Sequence, residues 1–233
     1  DSHSLDQAFL ARIAGGVTSE ALIYQPTTGT GVPIVVGDAA PNSGFFAGNP
    51  FSTPLLNDAG DVVFRAFLAR TDASVGLFRS RGGSLDALVR AGDAAPLPGD
   101  PAFLDLLGQP SLNQAGAVAF AAQVVDRRIG IFVLDANGVR AVVVSGDSVP
   151  GEPNMKFRTL SQNPSLNDRG AVAFRASTLQ RDPLTGTSTR RDGIFLADGS
   201  GIHSLVWTRA PAPGGLPFFA LRDPVLTNVQ SVA

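Results

Sequence analysis

Three aspartates recur at one place in a repeating pattern. Asp38, Asp93 and Asp147 each follow a glycine at the end of a short apolar run. A ring of such carboxylates would suit Ca2+, which takes roughly six to eight oxygen ligands. An aspartate placed just after a strand can instead accept backbone N–H groups of its own turn. With one isolated carboxylate per unit and no dense Asp-x-Asp-x-Asp run, the turn role is favoured, and Ca2+ at these positions is the functional alternative. Three arginines form a second candidate. Arg181, Arg190 and Arg191 lie in the polar, turn-rich segment 180–192. Their guanidinium groups could hold an acidic or sugar ligand.

Other chemistries lack their residues. His3 and His203 are the only histidines, and neither has a ligand partner at metal-site spacing. The absence of cysteine excludes disulfides, thiolate metal sites and cysteine catalysis. Neither a Gly-x-Ser-x-Gly elbow nor a Gly-x-x-x-x-Gly-Lys phosphate loop is present. Glu20 and Glu152 are the only glutamates, so a carboxylate pair for glycoside hydrolysis would have to use aspartate. The chain is therefore read as a non-enzyme, with no cofactor beyond the Ca2+ considered above.

The elements that must position these groups repeat. Leu-Asn-Asp-Ala-Gly-Asp-Val-Val-Phe at 56–64 returns as Leu-Asn-Gln-Ala-Gly-Ala-Val-Ala-Phe at 112–120 and Leu-Asn-Asp-Arg-Gly-Ala-Val-Ala-Phe at 166–174. Phe64, Phe120 and Phe174 lie 56 and 54 residues apart, and counting back from Phe64 reaches Phe9. Each unit continues with a short run ending in phenylalanine (Gly76-Leu77-Phe78, Gly130-Ile131-Phe132, Gly193-Ile194-Phe195), then a third apolar run. That run ends in Gly-Asp three times and in Arg209-Ala210 the fourth time. Short runs of Val, Ile, Leu and Phe cut by Gly, Pro, Asn and Asp predict strands throughout. Asn57, Asn113 and Asn167 are expected to hold tight turns through their side chains. Gly60, Gly116 and Gly170 are expected to supply positive φ where the next strand starts. Phe64, Phe120 and Phe174 are expected in the core.

Four-stranded antiparallel units repeated along a chain predict an all-β fold, a β-propeller of four blades with about 55 residues each. The units run approximately 1–53, 54–109, 110–163 and 164–223. Residues 224–233 begin with Pro224-Val225-Leu226-Thr227-Asn228, a worn copy of the opening strand, and would complete the first unit and close the ring. The segment 180–192 breaks the spacing: 21 positions separate Phe174 from Phe195, against 14 from Phe64 to Phe78 and 12 from Phe120 to Phe132. Insertions in repeat proteins map to loops and often to a binding face. A plain hairpin extension is the favoured reading, because a longer surface loop costs little free energy.

Composition bounds the partners. Among 233 residues 44% are hydrophobic and 16% charged, and the net charge of −2 supplies no long-range attraction to nucleic acid or anionic membrane. No apolar run reaches the length of a membrane span. Opening at Asp1-Ser2-His3, the chain reads as processed, trimmed or incomplete, and a cut from a longer array is the alternative to a closed ring.

The segment Asn57-Asp58-Ala59-Gly60-Asp61-Val62-Val63-Phe64 and its copies resemble a bacterial tandem-repeat family with the pattern Asn-x-x-Gly-x-x-x-Ala-Phe. The second and third copies carry the same Asn, Gly, Ala and Phe with two residues where the pattern has three between Gly and Ala, and the first also has Val63 in place of alanine. The resemblance implies exported, cell-surface proteins and brings no catalytic residues. The expected role is an extracellular binding or scaffold module presenting loops to a surface glycan or protein. One alternative is a structural subunit that self-assembles head to tail into a filament or surface layer. The other is a hydrolase or lyase with its site at the propeller mouth.

Overall fold

The computed structural model describes residues 6–12, 20–27, 32–47 and 51–228. All regular structure among them is β. Among the described residues no helix is long and apolar enough to cross a membrane. The strands form four antiparallel sheets. The first holds β1 (Gln7–Ala11), β2 (Ala21–Gln25) and β3 (Val32–Val35). The second holds β4 (Phe45–Phe46), β5 (Leu55–Leu56), β6 (Val62–Ala69), β7 (Val75–Arg81) and β8 (Ser84–Arg90). The third holds β9 (Phe103–Leu112), β10 (Val118–Val124), β11 (Ile129–Asp135) and β12 (Gly138–Val144). The fourth holds β13 (Met155–Leu160), β14 (Ser165–Leu166), β15 (Val172–Arg181), β16 (Ser188–Asp198) and β17 (Gly201–Trp207). The short pairs β4/β5 and β13/β14 occupy the edge that the continuous β9 fills in the third sheet.

Register repeats with the sequence. Phe64 lies opposite Phe78, Phe120 opposite Phe132 and Phe174 opposite Phe195. Directly opposed residues share a face, so each pair stacks, with ring centroids at 5.7, 5.7 and 5.5 Å. A third phenylalanine from the edge strand (Phe46, Phe103, Phe157) meets the second ring edge-on at 5.0 Å in every case. These nine rings are fully buried. Each triad packs on the aliphatic face of the preceding sheet. Phe46, Phe64 and Phe78 meet Leu22 and Ile34. Phe103, Phe120 and Phe132 meet Val63, Leu77 and Val89. Phe157, Phe174 and Phe195 meet Ala119, Ile131 and Val143. The glycine two residues before the second ring gives that ring its space: a Cβ on Gly130 would lie 2.7 Å from Phe132.

A second set of bonds ties sheet to sheet along the edge strands. Asn113 Oδ1 accepts the N–H of Ala117 at 2.8 Å. Asn57 Oδ1 takes those of Ala59 and Asp61, and Asn167 Oδ1 those of Arg169 and Ala171. Gly60, Gly116 and Gly170 sit at φ 77°, 80° and 77° in these turns. The other end of each amide reaches the next unit. Asn57 Nδ2 donates to the Asn113 carbonyl at 3.2 Å, and Asn113 Nδ2 to the Asn167 carbonyl at 3.1 Å. One residue on, Asp58 N–H donates to Gln114 Oε1, Gln114 N–H to Asp168 Oδ1 and Asp168 N–H to Asn228 Oδ1, all at 2.8 Å. This position needs an acceptor oxygen and no charge, which is why Asp, Gln and Asn all serve. Leu226 N–H also donates to Ser165 Oγ, and Arg175 pairs with Asp223 at 3.0 Å. Segment 223–228 is therefore docked on the fourth sheet in the place that each edge strand takes on the sheet before it.

Replacing Phe132 by alanine should cost about 3–5 kcal/mol, because a large buried ring is deleted between two sheets. Gly130→Ala should also destabilise, since the Phe132 ring has to move. Urea unfolding measures both, and a loss well under 1 kcal/mol for Phe132→Ala would contradict the packing described.

Candidate functional site

The recurring aspartates are engaged within their own turns. Asp38 Oδ2 accepts the N–H of Val35 at 2.9 Å, Asp93 Oδ2 that of Arg90 at 2.7 Å and Asp147 Oδ2 that of Val144 at 2.8 Å. The preceding glycines at φ 101°, 97° and 101° send their N–H to the carbonyls of Phe46, Phe103 and Phe157. In the fourth unit Arg209 takes φ 68° and donates to the Phe218 carbonyl at 2.8 Å, so the turn survives without Gly-Asp. Among the described residues, no three His, Asp or Glu side chains come together in a metal-holding group.

Segment 180–192 is a β-hairpin extension. The β15/β16 ladder runs without a break from Val172 opposite Ala197 to Arg181 opposite Ser188. At its tip Asp182 Oδ1 accepts the N–H groups of Leu184 and Thr185 at 2.8 and 3.2 Å. Those bonds, the first above all, hold the Asp182 carboxyl below its usual range. The root is fixed to the crossing loop before β13. Met155 pairs with Gln180, and Arg181 N–H donates to the Asn154 carbonyl at 3.0 Å.

The extension walls two clefts. One, of about 640 Å3, lies between the hairpin and that loop, with Met155, Leu179 and Pro183 as apolar lining and Glu152, Lys156 and Arg181 as charged lining. The other, of about 490 Å3, is bounded by Arg190, Asp192, Thr208, Arg209, Phe218 and Phe219. Grooves of about 630 and 490 Å3 also recur at the sheet ends that carry the asparagine turns. Those follow the repeat, whereas the two hairpin clefts belong to the fourth unit.

The three arginines grouped by sequence divide in the structure. Lys156 is opposite Leu179, which is opposite Arg190. Opposed residues share a face, and Arg181 joins it by alternation from Leu179. Arg191 belongs to the other face, its guanidinium carbon 4.6 Å from the Trp207 ring centroid. Lys156 and Arg209 take its place beside the clefts, and sequence reasoning missed both. The signal for Arg209 was a departure from pattern, because the other units have glycine there. Lys156 carried no signal without the register.

One buried ion pair sits apart from these clefts. Asp61 stands where the other units have Ala117 and Ala171. Its side chain is fully buried, both oxygens take hydrogen bonds from half-exposed Arg81, and Asn57 Nδ2 donates a further bond at 3.1 Å. The Arg81 hydrogen bonds hold the Asp61 carboxyl below its usual range, against burial, which would raise it.

The fold and clefts define an all-β repeat protein of four stacked antiparallel sheets, one of which carries an extended hairpin. Residues 6–130 and again 126–233 match the family of unknown function DUF7453, and the chain belongs to that family. No curated protein matches it.

Arg81→Ala should lower the melting temperature more than Asp61→Ala. The first strands a buried carboxylate, and the second restores the alanine of the other units. Because the folded Asp61 pKa is depressed, the pair's contribution is present above the ordinary carboxylate range and is lost as pH falls through the folded value. The melting gap between wild type and Asp61→Ala should therefore narrow in acid. A gap independent of pH from neutrality to pH 3 would refute this linkage.

Proposed function

We propose that the four sheets are blades of one β-propeller and that the chain is a binding module whose ligand seats on the extended hairpin of the fourth blade. The observation that carries this reading is the hairpin itself. It is the main break in the repeat, and it walls two clefts that the repeat does not generate. A rigid stack with one altered loop is how repeat folds commonly hold a site, since the scaffold fixes the loop's root. The ladder of acceptors gives successive units one stacking relation, which a closed ring would complete. Asp58, Gln114, Asp168 and Asn228 are equivalent, and the last three each take the N–H of the one before. In a ring of four, Asn228 N–H would reach the Asp58 carboxylate, and 223–228 would lie along the free edge of β1. On the resemblance to exported repeat proteins, we propose such a module outside the cell, facing surface polymers.

Replacing 181–188 by a two-residue turn should leave the fold intact, with a melting temperature within a few degrees of wild type. It should abolish binding on an array of neutral and charged polysaccharides. If no glycan on the array is bound in a hairpin-dependent way, the proposal fails.

A further inference from the structure

The hairpin clefts carry a local charge opposite to that of the chain. Lys156, Arg181, Arg190 and Arg209 line them together with two carboxylates, Glu152 and Asp192. The chain as a whole carries −2. Arg190 shares its charge with Asp192 at 3.5 Å. Among the described residues Lys156, Arg181 and Arg209 have no carboxylate within ion-pair distance. All three are solvent-exposed.

We infer that this face binds an acidic polysaccharide, a chain of sugars bearing carboxylates; the inference rests on the binding-module reading above and names its ligand class. Register sets the spacing. Lys156 and Arg190 flank Leu179 on neighbouring strands, which places their backbones about 10 Å apart across the sheet, and Arg181 lies about 7 Å further along. Carboxylates on an extended sugar chain recur at such intervals. Guanidinium groups offer planar paired donors that match a carboxylate.

The two acids in the face favour sugar over nucleic acid. Glu152 and Asp192 can accept hydrogen bonds from the hydroxyls of a sugar chain, which the phosphodiester backbone of DNA does not offer. Phe219 is 97% exposed beside Arg209. An exposed ring at the edge of a cleft can cover one sugar face. Partly buried Leu179 supplies further apolar contact.

Titration calorimetry with polygalacturonate, its fully methyl-esterified form and single-stranded DNA tests the inference. Polygalacturonate should bind, with affinity that falls as salt rises. Arg190→Ala and Lys156→Ala should each weaken it roughly tenfold, and Arg190→Lys should retain most of it. Unchanged melting temperatures exclude loss of fold as the cause. The esterified polymer, identical except for its charges, should bind at least roughly tenfold more weakly. Equal binding of the ester, wild-type affinity of Arg190→Ala, or tighter binding of DNA would overturn the inference. Hairpin-dependent binding of the ester alone would sink the acidic ligand and leave the binding module standing. Loss of hairpin dependence for every polymer would remove both.

Discussion

Burial of three phenylalanine rings per unit against the aliphatic face of the preceding sheet is the contact on which the rest of this structure depends. A single four-stranded meander has two apolar faces and cannot bury both alone. Stacking solves this in one direction: Phe103, Phe120 and Phe132 lie on Val63, Leu77 and Val89, and the same relation holds at the sheet junctions on either side. The edge-on ring recurs at 5.0 Å in all three triads, so the packing repeats with the sequence. Glycine before the second ring is the condition for that closeness.

Hydrogen bonds then fix how one sheet is placed on the next. Aromatic packing is tolerant of sliding, whereas the Asn57 to Asn113 to Asn167 relay is not. Each asparagine closes its own turn with the oxygen of its amide and reaches the next unit with the nitrogen. The same residue thus sets local and long-range geometry. The neighbouring acceptor position tolerates Asp58, Gln114, Asp168 or Asn228, because a neutral amide oxygen accepts an N–H as a carboxylate does.

The two hairpin clefts lie where the repeat is broken. The aspartates at 38, 93 and 147 repeat, and each accepts a backbone N–H in its own turn. The fourth unit departs twice, with a longer hairpin and with Arg209 in place of glycine, and both departures line clefts. A feature shared by every unit has to satisfy the common scaffold. A feature found in one unit is released from that demand.

Much of the architecture was legible in the residues. Strand type, the asparagine turns with positive-φ glycines and the hairpin nature of 180–192 follow from local preferences, which act over a few residues and leave their mark in order along the chain. The grouping of Arg181, Arg190 and Arg191 was not legible in the same way. Adjacent residues on a strand face opposite sides, and which side meets Lys156 depends on the register and bulge between β13 and β15. The asparagine relay was equally hidden, since its partners stand 54 to 56 residues apart. Sequence by itself determined the repeating unit and its turns. Only the tertiary structure decided which charges share a face and how units are bonded together, because both depend on strands brought side by side from distant parts of the chain.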